Sequence, residues 1–331
     1  MPLYLISLNV SGLPSWSAIF IGSLITLIIA SDFFIKASER IGIALGIPAF
    51  IVGVTMIAIG TSLPELVTSI VAVTRGQSVI VPGNVVGSNL TNTGLVLGVI
   101  AIIAKQIKLE FDVMKVDGPM LIGATLLLFL CLLDGKFQFF EGLLFLGGLA
   151  VYLAYIFTLG RSGGDEAESL DLPNEEDKQP LSWKEPVILL LSGLVIYFSA
   201  VFNVQAINNL GKILNVGQDF IALTAVALGT SLPELIVSLV AVRTGNIEMA
   251  VGNVVGSNLF NIFAVMGLPR LFGEIAIPPT LIDYSLPALV AITLVLLYVL
   301  QDKVINRWEG WILLLFYIGV MVSLVSAEVI A

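Results

Sequence analysis

Long apolar runs dominate this chain and leave few ways for it to fold. Reading from charge to charge, they fall at about 16–35, 48–73, 79–104, 118–133, 139–159, 186–207, 219–242, 247–269, 281–300 and 309–327. A helix that crosses a bilayer needs roughly 17–25 residues, so nearly all qualify; the fourth is short. Between lipid tails a backbone must satisfy its own hydrogen bonds, which makes runs of this length helices. The expectation is an all-α integral membrane protein of ten transmembrane helices, with the lipid bilayer as its surroundings. Composition agrees: only 12% of the residues are charged, against about 25% in a soluble domain. The first run has no Lys or Arg before it and is too long for a cleaved leader.

Residue usage removes several function classes. There are 15 Lys and Arg against 24 Asp and Glu, with no basic stripe, so nucleic acid is not expected as a partner. With no His and a single Cys, Cys131, there is no His₃ or Cys₄ metal centre and no Ser-His-Asp triad. Neither enzyme chemistry nor a resident cofactor is implied, and no protein partner is implied.

Ten spans give alternating loops. The odd loops hold eleven basic residues and the even loops with the termini hold four: Arg75, Lys136, Lys212 and Arg270. Basic residues collect in the cytoplasm, so the expected setting is a plasma or inner membrane with both termini outside. The segment 161–185 carries eight acids and three bases, and includes Gly163, Gly164, Pro173 and Pro180. That composition reads as a solvated cytoplasmic connector, and its acids do not follow the EF-hand spacing. The expected division is 1–160, the linker 161–185, and 186–331.

A shift of 169 residues lays the chain on itself. Gly60-Thr-Ser-Leu-Pro-Glu65 falls on Gly229-Thr-Ser-Leu-Pro-Glu234, and Gly83-Asn-Val-Val-Gly-Ser-Asn-Leu90 falls on Gly252-Asn-Val-Val-Gly-Ser-Asn-Leu259. Over 60–98, 23 of 39 positions are identical, with no insertion. Each half would hold five spans, and an odd number turns the second copy over. The expected architecture is two inverted five-helix repeats, with an ion site near the midplane where they meet.

The repeats agree best where a membrane helix should be least regular. Pro64 and Pro233 lack the N–H that would reach Gly60 and Gly229, so local unwinding is expected. Beside each proline stands an acid, Glu65 or Glu234. A charge at mid-span costs about 2.5–3.5 kcal/mol on insertion scales. No base shares either span short of its C-terminal end, so a bound cation is the simplest counter-charge. Asn84, Ser88 and Asn92 share a helix face, as do Asn253, Ser257 and Asn261. With the hydroxyls of Thr61, Ser62, Thr230 and Ser231, all these donors are hard oxygens that suit Ca²⁺ and Na⁺. Gly83–Gly87 and Gly252–Gly256 fit close helix packing within the chain. Asn89-Leu-Thr91 spells a glycosylation sequon inside a span and is read as coincidence. Asp32 is read as structural, and Asp283 and Glu328 as solvated.

The doubled GTSLPE and GNVVGSN motifs, with Ser31-Asp-Phe-Phe-Ile-Lys-Ala-Ser-Glu-Arg40 ahead of them, closely resemble the cation/Ca²⁺ exchanger superfamily, in its compact prokaryotic sodium/calcium exchanger form. The resemblance implies Ca²⁺ held by Glu65 and Glu234 with the carbonyls of Thr61 and Thr230. It implies Na⁺ at Ala58, Ser62 and Ser88 on one side and Ala227, Ser231 and Ser257 on the other. Asn92 and Asn261 would line the centre. Some members carry Asp where this chain has Asn261, so two central carboxylates remain. The expected activity is antiport of Ca²⁺ against Na⁺ by alternating access, with the ions as transported substrates. The alternative is Ca²⁺/H⁺ antiport on the same fold, with the glutamates as proton carriers. Broken, inverted repeats argue against a channel, and the absence of His argues against an intramembrane enzyme using Ser-His chemistry.

Overall fold

In the computed structural model, which describes residues 12–161, 182–213 and 231–330, the apolar runs are helices. They are α1 (Leu13–Leu45), α2 (Ala49–Thr74), α3 (Ile80–Ala104), α4 (Asp117–Leu132), α5 (Phe139–Arg161), α6 (Lys184–Ile213), α7 (Leu232–Arg243), α8 (Ile247–Leu271), α9 (Leu281–Leu300) and α10 (Arg307–Ile330). Eight of these, all but α4 and α7, are long and apolar enough to cross a membrane. The chain is a multi-pass membrane protein. α4 has 16 residues and α7 has 12, and the first part of the expected span 219–242 lies outside the described residues. Most of the acidic segment 161–185 also lies outside them.

Two helices overrun their expected bounds. α1 has 33 residues and α6 has 30. Reading from charge to charge ends a helix at its first base, yet Lys36 and Arg40 stay helical, because long basic side chains reach toward water from an apolar stem. Asp32 pairs with Lys36 one turn on, at 2.7 Å. α1 stops at Gly46, whose φ of 68° is left-handed and closes the last turn, and Pro48 follows.

The repeat is visible in local geometry. After α2, Gly76 takes φ 73° and Gln77 N–H bonds Ala72 O at 2.8 Å; after α7, Gly245 takes φ 89° and Asn246 N–H bonds Ala241 O at 2.8 Å. These are the same helix stop, 169 residues apart.

Four short strands tie the ends of the bundle. β1 (Gln106–Lys108) pairs antiparallel with β4 (Val304–Asn306), and β2 (Lys136–Phe137) with β3 (Ile275–Ala276). Ile107 opposes Ile305, and Lys136 opposes Ala276. Adding 169 to the first-half partner and subtracting it from the second carries one ladder onto the other, register included. Each ladder joins a strand before residue 160 to one after residue 186.

α8 forms the centre: 94% of its apolar window is buried, against 17% for α10. Gly252 and Gly256 let it approach the backbone of α2. A Cβ on Gly256 would lie 2.5 Å from Val54 Cα and 2.8 Å from Ala58 Cβ. The outside of the bundle is lined by exposed Phe140, Phe157, Leu190 and Tyr298, a surface suited to lipid rather than water.

Candidate functional site

Along α2, Ala58, Thr61, Ser62 and Glu65 follow one another within two turns and are all buried. The expected unwinding at Pro64 is not found in the first repeat: Ala58–Thr74 is continuous α-helix through the proline. The irregularity sits upstream, in a π-helical turn at Gly53–Ile57. Such single wide turns occur inside α-helices, often at functional sites. Two more π-helical turns begin at or next to the expected central residues, Thr91–Val96 and Asn261–Val265. Leu97 N–H bonds Asn92 O, and Met266 N–H bonds Asn261 O, each five residues back.

These elements bring the halves together. Ser62 Oγ donates to Glu234 Oε1 at 3.1 Å. Thr61 Oγ1 lies 3.1 Å from Asn253 Oδ1 and 3.4 Å from Ser257 Oγ. Ser257 Oγ in turn reaches Ala58 O at 3.5 Å. Ser88 is buried on α3 one turn before Asn92. Ala227 and Thr230 lie outside the described residues. Of the remaining ten expected positions, these contacts join Ala58, Thr61 and Ser257, and Ser62 with Glu234; Glu65, Ser88, Asn92, Asn261 and Ser231 are buried on α2, α3 and α8 and just before α7.

The polar atoms of this cluster are unusually short of partners. Among the described residues, both oxygens of Glu65, Glu234 Oε2, both amide atoms of Asn92 and of Asn261, and Ser231 Oγ are buried and find no hydrogen-bond partner. Ordinary buried polar groups are paired, and an orphan costs about 1–3 kcal/mol. Among the described residues no Lys or Arg pairs with either glutamate; the ion pairs are Lys36–Asp32, Arg40–Glu185 and Lys303–Asp112. Neither glutamate has a basic partner among the described residues, and the nearby Thr61, Ser62 and Ser257 hydroxyls, Asn253 Oδ1 and Ala58 carbonyl are hard oxygen donors of the kind that suits a hard cation. The arrangement is not symmetric: Ser62 bonds Glu234, while its repeat mate Ser231 bonds nothing among the described residues.

Several supporting residues are absent from the expected set. Asn84 Nδ2 reaches Ser69 Oγ at 3.2 Å, and Asn253 Nδ2 reaches Ser238 Oγ at 3.0 Å, each bracing the two motif helices of its own repeat. Ser69 and Ser238 are identical across the repeat, and that identity was the available signal. Asn89 Nδ2 bonds Asn258 O at 3.1 Å, and Asn258 Nδ2 bonds Thr93 Oγ1 at 2.8 Å, clasping α3 to α8. This also disposes of the sequon, since Asn89 is buried in a helix. A further buried acid, Asp117, accepts a 2.9 Å bond from Tyr152 in α5. Its place at a span edge hid it.

The profile of the family described as sodium/calcium exchanger protein matches residues 15–158 and 184–325. The sodium/calcium exchanger MaX1 of Methanosarcina acetivorans is 32% identical, over 91% of this chain and 96% of its own. The putative antiporter CaxA of Alkalimonas amylolytica is 34% identical, over 92% of this chain and 97% of its own. Among solved structures, the sodium-calcium exchanger NCX_Mj soaked with Na⁺ and Sr²⁺ superposes with a TM-score of 0.80 at 30% identity, covering 93% of this chain and 98% of its own.

Proposed function

Because the chain belongs to the sodium/calcium exchanger protein family, we propose that it is a secondary antiporter moving Ca²⁺ outward against inward Na⁺. Glu65 and Glu234 hold Ca²⁺, with the carbonyls of Thr61 and Thr230. Na⁺ uses Ala58, Ser62 and Ser88, and Ala227, Ser231 and Ser257, and shares the glutamates. Asn92 and Asn261 line the centre. The single observation that carries this reading is Glu65, fully buried with neither carboxylate oxygen hydrogen-bonded among the described residues. A structural glutamate would be paired; this one is left for a cation.

The architecture under this reading is ten spans in two inverted five-helix repeats, 1–160 and 186–331, joined by a cytoplasmic connector at 161–185. The interchange of the two strand ladders under the 169-residue shift supports it. So does loop parity, since each ladder joins loops that ten alternating spans put on one side. Both termini then lie outside. The unequal bonding of Ser62 and Ser231 fits alternating access, in which the repeats exchange roles. Either Ca²⁺ or Na⁺ neutralises the glutamate pair, and a neutralised site lets the gating helices slide.

The test is ⁴⁵Ca²⁺ uptake into proteoliposomes, first under an imposed Na⁺ gradient and then under a pH gradient. The expected result is uptake that follows the Na⁺ gradient and needs no K⁺. Uptake driven by the pH gradient alone and indifferent to Na⁺ transfers the assignment to a Ca²⁺/H⁺ antiporter, in which the glutamates carry protons.

The connector gives a second expectation. Deleting most of 163–180, with enough chain left to join the halves, leaves Na⁺-dependent uptake intact in the same assay. A deletion protein that folds and inserts but does not exchange would make the acidic run regulatory.

A further inference from the structure

α1 and α6 run antiparallel side by side: Asn203 bonds Phe20 O at one end, and Arg40 pairs with Glu185 at the other. Between them an open groove of about 330 Å³ faces outward. Thr26, Ile29 and Phe33 line it from α1, and Ile188, Leu191 and Val195 from α6. Its two hydroxyls donate their protons within their own helices, Thr26 to Gly22 O at 2.8 Å and Ser192 to Ile188 O at 2.6 Å, so the lining offers no free donor. Ile29, Phe33 and Leu191 are each more than half exposed. In a multi-pass membrane protein such a surface meets hydrocarbon.

One end of the groove is charged. Positions 26, 29, 33, 36 and 40 follow the three-and-four spacing of a single helix face, as do 184, 188, 191 and 195. The same two faces that line the groove therefore carry Lys36, Arg40 and Lys184 just beyond it. The acids paired with them stand behind: the Lys36 and Arg40 side chains are 53% and 66% exposed, while those of Asp32 and Glu185 are 36% and 13% exposed. The basic side chains are thus the outermost charged groups of these pairs, and both cations keep spare N–H donors beyond their ion pairs. Trp183, largely exposed beside Lys184, is the kind of residue that sits at headgroup level.

We propose that this seam is a binding site for one anionic glycerophospholipid. Its acyl chain lies in the α1–α6 groove, and its phosphate is held by Lys36, Arg40 and Lys184. Apolar lining, a charged end on the same helix faces and the outward position together fit an amphiphile of that shape. The lipid belongs to the leaflet on the side of the odd loops. The inference rests on the chain's membrane topology and not on the identity of the transported ions.

The experiment is native mass spectrometry of the full chain, released from nanodiscs that contain equal amounts of phosphatidylglycerol and phosphatidylcholine. The parent is expected to retain one phosphatidylglycerol, favoured at least about tenfold, since basic residues at a membrane surface attract anionic lipid. Two variants should lose that preference or the lipid itself: the triple change Lys36→Gln, Arg40→Gln, Lys184→Gln at the charged end, and Leu191→Trp, which fills the groove. Melting temperatures of both variants in detergent, matched to the parent, establish that they are folded. Retention unchanged in either folded variant overturns the site. So does equal retention of the two lipids by the parent, or displacement of the lipid by soluble glycerol phosphate. Because the readout counts bound lipid, it stands whether Na⁺ or H⁺ proves to be the coupling ion.

Discussion

Glu65→Gln and Glu234→Gln will each reduce Na⁺-driven Ca²⁺ uptake to the level of protein-free vesicles. Glutamine keeps the shape and hydrogen-bonding span of glutamate and removes one negative charge. A single remaining carboxylate cannot balance a divalent ion in a buried cluster with no base among its described residues, where charges are costly unless paired. The measurement is ⁴⁵Ca²⁺ flux normalised to inserted protein. A thermal melt separates this role from a structural one. In ion-free detergent solution both variants should melt no lower than the parent, because a desolvated charge has been removed. Added Ca²⁺ should raise the parent's midpoint and leave the variants' unchanged, since a ligand stabilises only the state that binds it. Near-parental flux in either variant would remove these glutamates from the site. A large drop in the ion-free melt would make them structural.

Gly256→Ala carries the second large effect, and it acts through the backbone. The added methyl would sit 2.5 Å from both Val54 Cα and Val54 O, and 2.8 Å from Ala58 Cβ. None of these is the end of a flexible side chain, so α2 and α8 must separate. Overpacking of this kind costs about 1–3 kcal/mol. It also shifts Ala58, whose carbonyl faces Ser257 in the cluster. The expected result is a melting temperature lower by several degrees and loss of most Ca²⁺ uptake. Gly319→Ala on α10, where a methyl meets nothing within 4 Å, should match the parent in both assays. Equal behaviour of the two variants would show that the close approach of α2 and α8 is not needed.

The sequence marked the candidate residues more fully than the local geometry around them. Apolar length and a 169-residue self-match locate Glu65 and Glu234, because an unpaired acid in hydrocarbon is conspicuous in composition alone. The four-residue spacing of Asn84, Ser88 and Asn92 put them on one face, and the structure buries all three. The π-helical turns at 53–57 and 91–96 were not legible. They depend on how neighbouring helices press on a turn, and no residue type marks them. Pro64 pointed to a break, and the helix instead runs through it, with the wide turn lying upstream at 53–57. The clasp between Asn89 and Asn258 looked like a stray sequon, since only tertiary packing reveals what a buried amide touches. The strands escaped notice because two or three residues are too few to establish a period.

Those strands bear on how the protein is made. Ile107 finds its partner in Ile305, near the end of the chain. At about 5–20 residues per second, synthesis leaves the first strand waiting for on the order of ten to forty seconds. Through that interval its edge is open, and the early helices stand in the bilayer without their closing tie. The second ladder has the shorter wait, from Phe137 to Ile275. Neither half can complete its own ladder, so truncation between residues 108 and 304 leaves an unpaired edge rather than a smaller finished protein. By the 169-residue correspondence, two copies of the first half would each offer the strand that the other lacks, so the same pair of ladders is available between molecules as well as within one chain.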